Sequence, residues 1–438
     1  MQSNYQPIIG LEVHVELSTE SKMFCGCSAQ HFAKKPNTQT CPVCLGLPGA
    51  LPVPNEKAIR WAQTLGAALG CGLAKESQFD RKHYFYPDLP KGYQISQYAK
   101  PLAEDGKWTM EDVKIIRIRR VHLEEDTGKL LHQTVDGKNV TLVDFNRSGV
   151  PLVEIVTEPD FESSTQVKEF LQELQKIIRY LGISDSDMEK GSMRLEANVS
   201  VSTTGDLPDY RVELKNINSF RFLEQAINYE IQRQTKGLES GGKLVQETRG
   251  FDEKSGVTKL QRTKEEAHDY RYFPEPDIPA LSFSVKYLEE IEKELPELPK
   301  DKSKRFEEEY ELPAHYAILL TQTRVLADYF EEAVKIGKEH GVTPKKIADT
   351  LVNKKPNITE ILPAKLIEML RSQAEKPLLS NEELEKAIEQ VISENPEAVE
   401  EYKKGKTNVL QFLIGQVMSK TKGKAHPVNA TKLIKKYI

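Results

Sequence analysis

The stretch I-G-L-E-V-H-V-E-L, from Ile9 to Leu17, alternates strictly, with Leu11, Val13, Val15 and Leu17 on one face and Glu12, His14 and Glu16 on the other. A period of two is that of a strand half-buried against a core. The pattern recurs from Arg194 to Val201, where Leu195, Ala197, Val199 and Val201 oppose Arg194, Glu196, Asn198 and Ser200. From Arg211 to Lys215 the polar side is Arg211, Glu213 and Lys215, against Val212 and Leu214. Pro151 to Thr157 is more apolar, with Leu152, Glu154 and Val156 sharing a face. A solvated face explains one such strand. Their recurrence argues for a polar site laid across a sheet.

Helices interleave with these strands. Ser163 or Ser164 caps a helix whose Val167, Phe170, Leu171, Leu174, Ile177, Ile178 and Leu181 keep the 3.6 period, and Gly182 ends it. Another is expected from about Phe220 to Thr235, on Leu223, Ala226, Ile227 and Ile231. Strands and helices segregate without a steady βαβ rhythm, so the fold class is α+β with a largely antiparallel sheet. Near Leu295 the run E-L-P-E-L-P-K-D-K reads as a linker, and beyond it the chain is almost wholly helical, punctuated by Pro344, Pro356, Pro363, Pro377 and Pro396. The expected domains are 1–294, 295–372 and a basic tail at 373–438, within the two to three that 438 residues suggest.

Composition sets bounds on function. Apolar residues are 38% and charged residues 29%, which excludes collagen-like and wholly disordered classes. No run of 18 apolar residues occurs, so no membrane helix is expected. Met1 to Pro7 carry neither a charged n-region nor an Arg-rich stretch, and the expected address is cytoplasmic. Net charge is −5, yet Tyr402 to Ile438 holds nine Lys and no Asp, Glu or Arg, which leaves −14 on the rest. That tail meets an anionic partner or is a solvated helical face.

Four of five cysteines cluster as C-G-C and C-P-V-C, at Cys25, Cys27, Cys41 and Cys44. Two short-spaced pairs across a loop suit a four-thiolate structural zinc, with disulfides the alternative. Cys71 stands alone in an Ala/Leu/Gly stretch and reads as a core residue. Glu12 and His14, two apart on one strand, with Glu125 in H-L-E-E-D-T-G-K and Glu154, would suit a divalent cation such as Mg²⁺; for each, a surface salt bridge is the bland alternative. There is no P-loop, no G-x-G-x-x-G and no nucleophile elbow. In K-N-I-N-S-F, Asn216, Asn218 and Ser219 either cap a helix or belong to a site with Lys215. D-Y-R-Y-F-P-E-P-D, from Asp269 to Asp277, is either a rigid loop presenting Arg271 beside an aromatic surface or a Pro-stiffened connector.

These motifs, with H-Y-F-Y-P-D-L-P-K-G-Y-Q-I-S-Q from His83 and D-F-N-R-S-G-V-P-L-V-E-I-V-T-E-P-D from Asp144, are together specific. From about residue 8 to the C-terminus the chain resembles the B-subunit family of the aspartyl/glutamyl-tRNA amidotransferases. The resemblance implies a glutamine-synthetase-like cradle binding ATP and Mg²⁺, followed by helical and tail domains. It implies a ligase forming a carbon–nitrogen bond, with glutamine as amide donor. The side-chain carboxylate of misacylated Glu-tRNA(Gln) or Asp-tRNA(Asn) is phosphorylated and then amidated by ammonia. The amidase subunit of the same heterotrimer releases that ammonia, and its small third subunit wraps the other two. By position, Glu12, His14, Glu125 and Glu154 match the family's divalent-metal site, and the four clustered cysteines its zinc loop. Lys215, Asn216, Asn218, Ser219 and Arg271 are the candidate ATP-binding residues. Leu195-Glu196 stands where the family more often has Cys-Asp, and the helical part after Lys345 is shorter than usual. Two other readings are a non-catalytic tRNA-binding scaffold with a zinc loop and a stand-alone ligase acting on small acids. The basic tail counts against the second, and so does the absence of a cysteine in a nucleophile's setting.

Overall fold

The computed structural model describes residues 4–263, 270–374, 380–421, 424–425 and 427–438. The chain divides into two compact units, Met1–Arg305 with Thr321–Arg324, and Phe306–Leu320 with Val325–Ile438.

The first unit is built on a nine-stranded sheet. Its order is Val257–Thr263, Glu247–Asp252, Val212–Ile217, Met193–Ser202, Gln6–Glu16, Pro151–Thr157, Ile115–Glu125, Ala103–Thr109 and Gly72–Leu73. Every neighbouring pair is antiparallel except Val212–Ile217 with Glu247–Asp252. The expected α+β architecture with a mainly antiparallel sheet is therefore what the chain adopts. Three helices, Glu56–Ala68, Ser164–Leu181 and Phe220–Glu239, supply apolar side chains to one shared core with the sheet. Leu11, Val13 and Val15 enter that core beside Val153, Ile155, Leu195, Ala197 and Val199. Alternation sends their neighbours to the opposite face.

Local signals explain the helix ends. The Ser163 hydroxyl accepts the Gln166 amide at 3.2 Å, and Gly182 closes the helix at φ +69°, which a Cβ would disfavour. Cys71 is buried as expected, against Gly106, where an added Cβ would come within 2.5 Å of its sulfur. Only 295–298 separate helix Val285–Glu294 from Pro299–Tyr310, so the expected linker is short. Pro299 begins a helix because a first-turn residue needs no amide hydrogen, and Leu295 and Leu298 pack on the core.

The second unit is helical. Phe306 and Phe330 are fully buried and lie 5.0 Å apart, with Tyr310 on both. Pro344, Pro363 and Pro396 each open a helix, whereas Pro377 lies outside the described residues. Towards the end, helix Asn381–Glu394 begins with a Ser380–Glu383 capping box. It packs through Leu384, Ile388 and Val391 on Leu413, Val417, Ala430 and Ile434. An apolar stripe of Phe412, Leu413, Val417 and Met418 in helix Val409–Lys420 is only partly a packing face, since Phe412 is 49% exposed. It points away because Leu413, its neighbour in sequence, takes the inward position. Lys424, Lys432, Lys435 and Lys436 are exposed, Lys420 pairs with Glu394, and Lys422 lies outside the described residues.

Candidate functional site

Five adjacent strands, reading Val212–Ile217, Met193–Ser202, Gln6–Glu16, Pro151–Thr157 and Ile115–Glu125, aim charged side chains at one face. Register decides which of them meet. His14 lies opposite Glu154 on one side and Arg194 on the other, and Glu154 lies opposite His122. Glu12 lies opposite Glu196, and Asn198 opposite Glu213.

Two groups able to hold a metal ion result. In the first, donor atoms of His14, Glu124 and Glu154 all lie within 4.8 Å of one another. His14 Nε2 is 3.5 Å from both Glu124 Oε1 and Glu154 Oε2, and His122 Nε2 is 3.0 Å from Glu154 Oε2. In the second, Glu12, Glu196 and Glu213 are equally close. Lys215 Nζ sits 2.8 Å from Glu196 and 3.2 Å from Glu213, and Asn198 donates to Glu12 Oε1 at 3.0 Å. The buried Asn198 Oδ1 has no protein partner.

The groups shape one another's protonation. Burial opposes ionisation of Glu154, but His122 and His14 outweigh it and hold this carboxyl well below the usual range. Burial likewise disfavours the imidazolium of His14, yet Glu154, Glu124 and Glu196 raise it to about 9. Burial, with Glu154 and Glu196 nearby, raises the Glu12 carboxyl. Lys215 is desolvated, but Glu196, Glu213 and Glu12 keep its pKa above the ordinary lysine value. Carboxylate repulsion and the imidazole between them are what a hard or borderline divalent cation relieves.

The sequence-based set of Glu12, His14, Glu125 and Glu154 does not converge as a set. Glu12 belongs to the second group, and Glu125 belongs to neither. Glu125 ion-pairs with Lys91 and accepts the Ile95 amide at 2.9 Å. The reason is alternation: His122 and Glu124 share a face of their strand, and Glu125 takes the other. Counting two from His122 would have selected Glu124. Glu196 and Glu213 carried the same signal in their own alternating runs, and His122 stood inside the quoted motif.

The K-N-I-N-S-F segment serves its strand more than its helix. Two steps along Met193–Ser202, from Ala197 to Leu195, face three steps from Leu214 to Ile217, and Asn216 takes φ +60° at this bulge. Ser219 is the N-cap residue of Phe220–Glu239, but its side chain makes no capping hydrogen bond. Asn216 and Asn218 are exposed, so none of the three caps the helix with its side chain, while Lys215 points into the second group. In the second motif Asp269 lies outside the described residues. Arg271 is exposed, and its carbonyl lies 3.2 Å from His83 Nδ1. Tyr272 stacks on Tyr98 at 4.3 Å, and Phe273 on His83 at 4.9 Å. Strand Asp80–His83 pairs with Phe273–Pro274, and its Lys82 lies near Glu124 and Glu154; burial disfavours its charge, but these carboxylates raise its pKa.

The clustered cysteines come together as four sulfurs within 4.8 Å of one another, a group able to hold a metal ion. The Cys41 amide donates to Cys44 Sγ at 3.1 Å. Hydrogen bonding from Cys25, with Cys41 and Lys22 adding to it, pulls Cys44 down to about 4 against its burial. A thiolate so supported suits a closed four-sulfur site.

A family model described as the GatB/GatE catalytic domain matches residues 7–289, and one described as the GatB domain matches 322–438. The class is thus that of a catalytic domain carrying its polar site on a sheet face, followed by a helical domain. Among curated relatives, the B subunit of the aspartyl/glutamyl-tRNA(Asn/Gln) amidotransferase of Thermotoga maritima is 45% identical over 483 positions, covering 99% of both chains. Its counterpart in Thermotoga sp. strain RQ2 is 46% identical with the same coverage, and that of Thermodesulfovibrio yellowstonii 44% over 479 positions, also covering 99% of both. The chain belongs to the GatB family and is of the amidotransferase, carbon–nitrogen ligase class. Since 438 residues align over 483 positions, these relatives carry stretches that this chain lacks. No helix of the described residues is long and apolar enough to cross a membrane.

Proposed function

We propose that this chain activates the side-chain carboxylate of misacylated Glu-tRNA(Gln) or Asp-tRNA(Asn) with ATP and completes its amidation. The carboxylate oxygen attacks the γ-phosphorus, ADP leaves, and ammonia then displaces inorganic phosphate from the acyl carbon. One difficult substitution becomes two easier ones, because phosphate leaves where oxide cannot. Divalent cations, Mg²⁺ in the first instance, would be held by His14, Glu124 and Glu154 and by Glu12, Glu196 and Glu213, and would neutralise the transferring phosphoryl group. Lys215 and Arg194 supply cationic groups at the same face, and Arg271 stands on the neighbouring aromatic loop. The observation that carries the reading is the pair of carboxylate groups on adjacent strands.

Ammonia comes in this reading from the amidase subunit, with a small third subunit completing a cytoplasmic heterotrimer. The four-cysteine cluster holds structural zinc, and the exposed lysines of the last helices meet tRNA phosphates. The test is ATP hydrolysis by the reconstituted complex with and without misacylated tRNA. Stimulation by the misacylated form, lost in Glu154→Gln, is the expected result. A complex that binds tRNA but never hydrolyses ATP would make the chain a scaffold.

A further inference from the structure

Lys22 is 1% exposed, and its ammonium makes three contacts, to the Gln39 carbonyl at 2.7 Å, the Phe145 carbonyl at 3.3 Å and Cys44 Sγ at 3.6 Å. Its three protons thus have three acceptors. Among the described residues no carboxylate lies within 4.0 Å of it. A buried ammonium without a counter-ion costs several kcal/mol, so the compensating charge must lie elsewhere. The four-cysteine group is what it touches. Of that group the ammonium touches one sulfur, that of Cys44. Four thiolates around a divalent metal carry a net charge of about −2.

We propose that Lys22 is the built-in counter-ion of the metal-bound four-cysteine loop, and that its charge makes metal retention and docking of that loop onto residues 143–149 one event. The inference rests on the zinc reading and concerns this chain's own residue. The docking is written in the same contacts. Gln39 N–H donates to Asn146 Oδ1 at 2.7 Å, Ser148 Oγ donates to the Cys44 carbonyl at 3.1 Å, and Met23 N–H donates to the Gly149 carbonyl at 2.7 Å. Residues 143–149 run straight into Pro151–Thr157, the strand that carries Glu154. A loop that loses its metal leaves Lys22 facing two carbonyls and the Cys44 sulfur alone in place of the four-thiolate centre, and the seam then loses most of its charge.

The experiment uses the full chain with Lys22→Met, which removes charge and hydrogen bonds, Lys22→Gln, which removes charge but keeps a donor, and Lys22→Arg, which keeps charge. Zinc content and the rate of zinc transfer to excess chelator are read for each. Both neutral variants should release zinc at least about tenfold faster than the parent, with Lys22→Arg closer to the parent. Thermal unfolding gives a second reading that needs no activity. Loss of charge should lower the Tm of the zinc-loaded protein more than that of the chelator-stripped protein, whose ammonium faces the Cys44 sulfur alone in place of four metal-bound thiolates. If Lys22→Met does not fold, the comparison of Lys22→Gln with Lys22→Arg decides alone. Equal release rates in parent and Lys22→Gln, or equal destabilisation of both forms, would overturn the proposal. A parent chain with no zinc and four reactive thiols overturns the zinc reading and this inference with it, whereas a zinc-loaded parent with unchanged variants overturns the inference alone.

Discussion

Glu124 and Glu125 are adjacent, chemically identical and buried to the same extent, yet the strand sends them to opposite faces. Substituting each by Gln therefore separates the proposed cation site from everything else. Glu124 contributes one of two carboxylates to the group with His14 and Glu154. A charged contact to a polar centre contributes about 1.5–3 kcal/mol, which corresponds to about 10- to 150-fold in affinity. Glu124→Gln should raise the Mg²⁺ concentration for half-maximal tRNA-dependent ATP hydrolysis by that factor. Glu125→Gln should leave the Mg²⁺ requirement alone. It removes the anion of a buried pair whose Lys91 and Glu125 side chains are 10% and 4% exposed, which costs about 3–5 kcal/mol of stability. The assay is an Mg²⁺ titration of ATP turnover by the complex, beside urea unfolding of the isolated chain. A shifted Mg²⁺ requirement in Glu125→Gln, with none in Glu124→Gln, would refute the assignment of faces.

Other expectations use the same structure. Elemental analysis should find about one zinc per chain, falling in Cys41→Ser with loss of order in the loop from Cys25 to Cys44, because an incomplete thiolate set loses binding energy that is also folding energy. Charge reversal at the exposed Lys432, Lys435 and Lys436 should raise KM for charged tRNA and flatten its salt dependence at nearly constant kcat, whereas Lys420→Glu should do less because Lys420 already pairs with Glu394. An unchanged KM and salt slope would make that tail a solvated face. Glu230, fully buried, is 3.0 Å from Arg233 Nη2 and 3.1 Å from both Arg249 Nε and Gln234 Nε2. Glu230→Gln should cost about 3 kcal/mol in urea unfolding, leaving the Mg²⁺ requirement unmoved.

Periodicity and end signals, properties of consecutive residues, were legible without any fold. The alternation from Ile9 to Leu17 gives strand Gln6–Glu16, that from Arg194 gives Met193–Ser202, and Ser163 and Gly182 bracket the helix between them in sequence. The four cysteines announced their cluster for the same reason, since two short turns hold both pairs. What consecutive residues do not carry is which strand lies beside which, and at what register. Sequence separates His14 from Glu124 by over a hundred positions, and only the antiparallel register of Gln6–Glu16 on Pro151–Thr157, and of that strand on Ile115–Glu125, brings them within 3.5 Å. The same register splits Glu12 from His14 into two groups and turns Glu125 away. Lys22 had no sequence signal at all, because a lysine before a cysteine loop reads as surface until the loop folds over it. The chain's own pattern determined which faces are polar; packing between distant strands decided which polar groups meet, since a one-residue shift in a strand exchanges its faces.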